Sequence, residues 1–121
     1  MIQTEKTKHN FDLEERTLEF AKRVIRLCKK LPQNVINREL ISQLIRSSGS
    51  IGANYREAND SLSKKDFNHR IKITRKEAKE SFYWLDLLQK ANPGYDEDIC
   101  RLLNEALELK KIFSSIADKS S

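Results

Sequence analysis

Residues 63–94 read SKKDFNHRIKITRKEAKESFYWLDLLQKANPG, and this stretch has the features of one long amphipathic helix between a start and a stop. Ser63 is a good N-cap, and Asp66 stands at the third helical position, where a carboxylate interacts favourably with the helix dipole. The sequence Asn-Pro-Gly at 92–94 ends the pattern. A helix that runs to about Ala91 is about 40 Å long. Its predicted buried stripe consists of Phe67, Ile71, Thr74, Ala78, Phe82, Leu85 and Leu88 or Gln89.

Three other segments show the same apolar period. The first helix is predicted over 13–30, with Asp12 as its N-cap, and the second follows Asn37 as N-cap and continues to about residue 61. The last begins at the acidic residues 96–98 and continues to 118. The stripe predicted to be buried on the first helix is Thr17, Leu18, Ala21, Val24, Ile25, Cys28 and Leu31. On the second helix it is Leu40, Ile41, Leu44, Ile45, Ser48, Ile51, Tyr55 and Leu62. On the last helix it is Ile99, Leu102, Leu103, Ala106, Leu109, Phe113 and Ile116.

The 121 residues contain only three Gly and two Pro, too few turn signals for a β-sandwich or barrel. The prediction is an all-α protein, an antiparallel up-and-down four-helix bundle over 13–118, preceded by a flexible arm at 1–12. No apolar run is long enough to span a membrane, and we expect a soluble, cytoplasmic protein. Cys28 and Cys100 are expected to be reduced, buried thiols.

No residue set points to catalysis or to a metal. His9 and His69 have no histidine partner at helical spacing, and the serines near residue 50 lack a nearby base. Gly49 and Gly52 have the spacing of a phosphate-binding GxxG loop, but such a loop is not helical and the helical period continues through both residues. The favoured interpretation is that the glycines allow close approach of a neighbouring backbone. We therefore expect no enzyme activity, no cofactor and no small-molecule substrate.

Charge is distributed unevenly over a chain whose net charge is +5: residues 13–31 carry +3, residues 64–80 carry +4 and residues 96–119 carry −2. Basic side chains form stripes on the first and third helices, with Tyr83 in the stripe of the third. A phosphate backbone would suit them, because binding releases condensed counterions irrespective of base sequence. A solvated lysine face is the alternative. The predicted nucleic-acid-binding residues are Lys65, Lys72, Lys76, Lys79, Lys22, Arg26 and Lys29.

A second apolar face on the third helix, and a strip of mostly small residues on the second, are not accounted for by the bundle core. We expect them to form contacts between subunits, since an exposed Trp84 and Leu87 would otherwise be an unexplained apolar patch. The predicted interface residues are Ile73, Trp84, Leu87, Ala91, Arg46, Ser50, Ala53 and Glu57.

The runs RSSGSIGANYREA at 46–58 and SKKDFNHRIKITRKEAKESFYWLDLL at 63–88 resemble the bacterial 23S rRNA intervening-sequence proteins. The resemblance implies an up-and-down bundle that assembles into a ring-shaped homopentamer and has no accepted enzymatic activity. A related group, the accessory variability proteins of diversity-generating retroelements, is similar in fold and is associated with nucleic acid and reverse transcriptase. The positions that carry the family signature are Ser50, Ile51, Ala53, Asn54 and Glu57.

Two functional hypotheses follow. The first is a non-enzymatic, pentameric protein associated with nucleic acid, such as ribosomal RNA or an RNA/DNA hybrid, through phosphate contacts. The second is a protein-interaction scaffold or accessory subunit, for example of a reverse transcriptase, that makes no direct nucleic-acid contact. Salt dependence separates them, because only the first hypothesis predicts binding that weakens sharply as salt rises.

Overall fold

The computed structural model describes the backbone of residues 2–120 and the side chains of residues 12–119. Within this part of the chain the structure consists of helices with no strand, which confirms the all-α prediction. Connections of a few residues, at 31–34, 60–63 and 92–95, join the helices. The helices are α1 (Ile2–Lys30), α2 (Val35–Asn59), α3 (Lys64–Ala91) and α4 (Asp96–Ser120).

The helices form a bundle in which α1 packs against α2 and α4, and α3 packs against the same two helices. Over the described residues, α1 makes no contact with α3. These two helices therefore occupy diagonal corners of the bundle, and their exposed faces point away from each other. None of the helices is long and apolar enough, over the residues the structure covers, to cross a membrane.

The bundle core is close to the predicted one on α3 and α4 but is rotated on α1. Phe20 and Leu27 are buried, whereas Leu18 and Ile25, which were predicted to be buried, are exposed. The predictions for Ile45 of α2 and for Leu62, which lies in the connection after α2, are likewise wrong, because both side chains are exposed. α1 carries apolar residues around much of its circumference, so periodicity alone does not determine which of them faces the core.

Two predicted helix starts are wrong. α1 begins at Ile2, so Asp12 is inside the helix and is not its N-cap. The side chains of residues 1–11 lie outside the described residues, and the predicted mobility of an arm at 1–12 stays a prediction. The N-cap of α2 is Asn34, whose side chain accepts a hydrogen bond from the backbone N–H of Asn37 at 2.8 Å. The predicted cap of α3 is confirmed, since Ser63 Oγ accepts from the backbone N–H of Asp66 at 3.1 Å.

Asn37 has a different role from the predicted one. It is buried and exchanges two amide hydrogen bonds of 2.8 Å with buried Asn92, which follows α3. Asn37 also donates to the carbonyl of Pro32, and Asn92 donates to the carbonyl of Leu88. The pair satisfies polar groups at one end of the bundle and joins the α1–α2 connection to the end of α3.

The predicted close approach of a neighbouring backbone is wrong at both glycines, because the tight neighbour at Gly52 is a side chain and the nearest backbone atom, the Thr17 carbonyl carbon, would lie 3.8 Å from a Cβ. A Cβ at Gly52 would lie 3.0 Å from Thr17 Oγ1 of α1, whereas a Cβ at Gly49 would have nothing within 4 Å. The two cysteines also differ, because Cys28 is buried as predicted and Cys100 is exposed, contrary to prediction.

Candidate nucleic-acid interface

The predicted basic stripe of α3 forms an exposed row on the outer surface of the bundle. Lys65, Lys72, Lys76 and Lys79 are all exposed, and none has a carboxylate within 4.0 Å among the described residues. Their spacing of seven, four and three residues places them on one side of the helix, facing away from the core. We call these four residues the α3 lysine row.

The carboxylates closest in sequence to Lys76 and Lys79 are engaged by an arginine of α2. Arg46 Nη1 contacts Glu77 Oε2 at 3.1 Å, and Arg46 Nη2 contacts Glu80 Oε2 at 2.7 Å. The hydrogen bond and charge of Glu77, followed by those of Glu80, raise the pKa of Arg46 above its usual value. Because Glu77 and Glu80 both face Arg46, neither of them forms an ion pair with the lysines, although a single guanidinium offsets only part of their combined charge.

A groove between α2 and α3 lies beside these lysines. Its volume is about 460 Å³, and most of its lining surface is apolar. The aromatic wall is made by Tyr83, which is 57% exposed, and by half-buried Trp84, whose ring lies at 78° to that of Tyr83 with 5.1 Å between centroids. The indole Nε1 of Trp84 is buried and has no hydrogen-bond acceptor in the part of the chain described. The lining residues, which define the α2–α3 groove, are Gln43, Arg46, Lys76, Lys79, Glu80, Tyr83 and Trp84.

The predicted stripe of α1 is exposed but lies elsewhere. Lys22, Arg26 and Lys29 are on the outer face of α1, and Arg26 pairs with Glu19 at 2.5 Å. Because α1 and α3 are at diagonal corners, this stripe and the α3 lysine row do not form one surface within a single chain. The structure therefore does not bring the predicted basic residues together into one site.

A second cluster of basic residues was not predicted as a site, although one of its members, Arg26, belongs to the predicted stripe of α1. It lines a pocket of about 280 Å³ between α1 and α4, where it surrounds Asp98. Helical spacing could have grouped the α1 members, which are three, four and seven residues apart. The α4 member could not be found in that way, because only the packing of the helices brings it close. The basic lining residues are Arg23, Arg26, Lys30 and Arg101.

The predicted interface residues are divided between the groove and its surroundings. Trp84 is not the freely exposed side chain that was expected, since it packs against the core. Ile73 and Ser50 are half-buried, and Leu87, Ala91, Ala53 and Glu57 are exposed. Two predicted interface residues, Arg46 and Trp84, line the same groove as two of the predicted nucleic-acid-binding lysines.

Comparison with known proteins identifies the family. A sequence model described as 23S rRNA-intervening sequence protein matches residues 9–115. The chain belongs to this family. The crystal structure of a protein of unknown function from the S23 ribosomal protein family of Bacteroides thetaiotaomicron is 35% identical, with a TM-score of 0.76 over 86% of this chain and 96% of that one. No curated protein matches the chain.

The residues that carry the 23S rRNA-intervening sequence pattern have structural partners in this chain. Ile51 is fully buried, as expected of a core residue. Asn54 donates to the Ser50 carbonyl at 2.9 Å and accepts from Arg70 Nη1 of α3 at 3.2 Å, so it is a polar contact between helices. Ala53 and Glu57 are exposed on the same helix. Over the described residues no group of three or more His, Cys, Asp or Glu side chains is placed to hold a metal ion.

Proposed function

We propose that this protein binds nucleic acid without catalysing a reaction on it, and that the α3 lysine row is the principal contact. The proposal rests on one observation: the four exposed lysines have no carboxylate partner among the described residues, while the acidic residues nearest in sequence to Lys76 and Lys79 pair with Arg46 instead. Neighbouring lysines on one helix face repel each other, and an anionic partner relieves that repulsion. Phosphates spaced along a backbone supply such a partner.

The interaction has a quantitative signature. Each phosphate neutralised by a lysine releases condensed counterions, so the logarithm of the binding constant falls linearly with the logarithm of salt concentration. For single strands the slope is about −0.7 per neutralised phosphate, so four contacts give a slope of about −3. Because the contacts are to phosphates, affinity depends only weakly on base sequence.

The test compares two triple variants with the same change in charge. In one, three lysines of the α3 lysine row become glutamine, and in the other the same change is made at three lysines of α4. RNA binding is followed by fluorescence anisotropy over a salt series. We expect the α3 variant to flatten the salt slope by about 2 and the α4 variant to leave it close to that of the unmodified protein. Equal slopes for both variants would contradict the assignment. The α3 variant changes Lys65, Lys72 and Lys76, and the α4 variant changes Lys110, Lys111 and Lys119.

We also infer that neighbouring helices run antiparallel. Support comes from two ion pairs between α1 and α4: Arg16 contacts Glu105 at 2.8 Å, and Lys30 contacts Asp98 at 3.4 Å. The residue numbers therefore increase along α1 in the direction in which they decrease along α4. Assembly into a homopentameric ring in the bacterial cytoplasm completes the proposal, and exposed apolar side chains such as Leu87 support self-association. Light scattering gives the subunit number.

The alternative function is a protein-interaction scaffold or accessory subunit, for example of a reverse transcriptase, as in the retroelement accessory proteins. The exposed Tyr83 and Leu87, one helical turn apart, favour it because they offer apolar contact area beside the groove. Binding of such a protein partner would depend little on salt, and a scaffold of this kind would not bind RNA directly. The absence of RNA binding in the anisotropy series would therefore favour the scaffold even when the protein partner has not been identified.

A further inference from the structure

We propose that the α2–α3 groove receives an unpaired nucleobase, so that the preferred ligand is a single-stranded segment and not a duplex. This inference rests on the proposed nucleic-acid function and specifies its ligand. Phosphate contacts alone would not distinguish the two forms, because both present a charged backbone to the lysines. The distinction requires a second feature that recognises an exposed base face.

Tyr83 is that feature. It follows Lys76 by seven residues and Lys79 by four, so its ring projects from the same side of α3 as the lysines, one helical turn beyond the last of them. More than half of the side chain is accessible, and the perpendicular contact with Trp84 holds the ring at the groove. Aromatic side chains set among cations are the recurring arrangement for single strands, since every base has a face that can stack.

The other walls of the α2–α3 groove suit a base flanked by phosphates. Most of its lining surface is apolar, and its volume of about 460 Å³ lies within the range typical of small-ligand sites. Lys76 and Lys79 can contact the phosphates on either side of an inserted base. Gln43, exposed on α2, carries both a donor and an acceptor, which match the polar edge of any base. In a duplex the base faces are stacked on one another and cannot enter.

The aromatic wall of the groove, and not its charge, argues against an acidic peptide as the occupant. A carboxylate chain would satisfy the lysines equally well but would leave Tyr83 without a stacking partner. It would also compete poorly for Arg46, which already has two carboxylate partners within the chain, Glu77 and Glu80. The aromatic residue next to Lys76 and Lys79 in the groove therefore favours nucleic acid.

The experiment measures the affinity of a twelve-nucleotide single-stranded RNA and of the corresponding duplex at one low salt concentration. Trp84 is the only tryptophan in the chain, so its emission reports directly on the groove. We expect Tyr83→Ala to weaken single-strand binding about tenfold, the order expected for loss of one base–aromatic stack, with no change in duplex binding. Tyr83→Phe keeps the ring and retains affinity. Leu62→Ala, at a fully exposed apolar residue in the connection before α3, is the control and changes neither.

The outcomes separate this inference from the function on which it rests. Equal affinities for single strand and duplex, or a Tyr83→Ala effect that is the same for both, would overturn the base-binding groove while the α3 lysine row remained a phosphate contact. Failure of both RNAs to bind would remove the proposed function itself. A polyglutamate of twelve residues that binds as tightly as the single strand would also overturn the inference, in favour of a protein partner.

Discussion

The buried amide pair at one end of the bundle allows a quantitative prediction about stability. Asn92→Ala removes three hydrogen bonds: the two that it exchanges with Asn37 and the one that it donates to the Leu88 carbonyl. At about 1 kcal/mol net for each bond, with a further 1–3 kcal/mol for leaving Asn37 Oδ1 buried without a donor, the expected cost is roughly 4–6 kcal/mol. Most small domains have only about 5–15 kcal/mol of stability, so the loss is severe.

Urea denaturation followed by circular dichroism measures this cost, at one fixed protein concentration because self-association would shift the midpoint. With a slope of about 2 kcal/mol per molar urea, the midpoint falls by about 2–3 M. The double variant Asn37→Ala/Asn92→Ala should cost clearly less than the sum of the single variants, since that sum counts the two shared hydrogen bonds twice and neither amide is left alone in the double variant. Exposed Asn104→Ala, on α4, is the control and stays within about 0.5 kcal/mol of the unmodified protein. A cost below about 1 kcal/mol, or strictly additive single variants, would refute the reasoning.

The glycines and cysteines give two further predictions. Gly49→Ala should raise the free energy of unfolding by up to about 1 kcal/mol, because alanine favours a helix and its Cβ would have nothing within 4 Å. Gly52→Ala should lower the free energy of unfolding, because its Cβ would meet the buried Thr17 side chain at 3.0 Å. Urea denaturation measures both changes. At pH 8 a thiol reagent should titrate only Cys100 in the folded protein, since burial raises the pKa of the Cys28 thiol from 9.0 to about 11, and both thiols should react after unfolding. Stability should then fall as pH rises from about 9 to about 11, because the unfolded chain loses the Cys28 proton first, and Cys28→Ala should reduce that slope.

Local signals determined what could be predicted of the fold. The start and the approximate end of α3 were predicted correctly, because Ser63 and Asp66 supply a cap and the Asn-Pro-Gly sequence at 92–94 supplies a stop. These signals lie within the helix or in the residues next to it in sequence. The start of α2 was misplaced because Asn34 and Asn37 are both capable caps. The choice between them depends on Asn92, which is distant in sequence and close only in the folded bundle.

The candidate site shows the same division. Helical spacing was sufficient to place the α3 lysine row and Tyr83 on one side of a helix. It could not reveal that Arg46 of α2 pairs with Glu77 and Glu80, nor that Gln43 completes a groove, because both facts depend on the packing of α2 against α3. Periodicity thus predicted the charged face, and tertiary packing determined which of its charges are free.

Exposed apolar residues also mark the junction of α1 and α2. Leu18 and Ile25 follow Glu14 by four and eleven residues, so they share the side of α1 on which Glu14 contacts α2. Ile45 precedes Gly52 by seven residues and so shares the side of α2 that meets α1. The structure therefore has an apolar surface at the α1–α2 junction in addition to the side chains near the α2–α3 groove.

These two surfaces are not equivalent as contacts between copies of the chain. A contact between copies that covered the α2–α3 groove would bury Lys76 and Lys79, and burying cations without partners is costly. A contact built on Leu18, Ile25 and Ile45 removes apolar surface from water and leaves the groove open. Self-association at the α1–α2 junction is therefore compatible with nucleic-acid binding in the groove, whereas self-association through Arg46 and Trp84 competes with it.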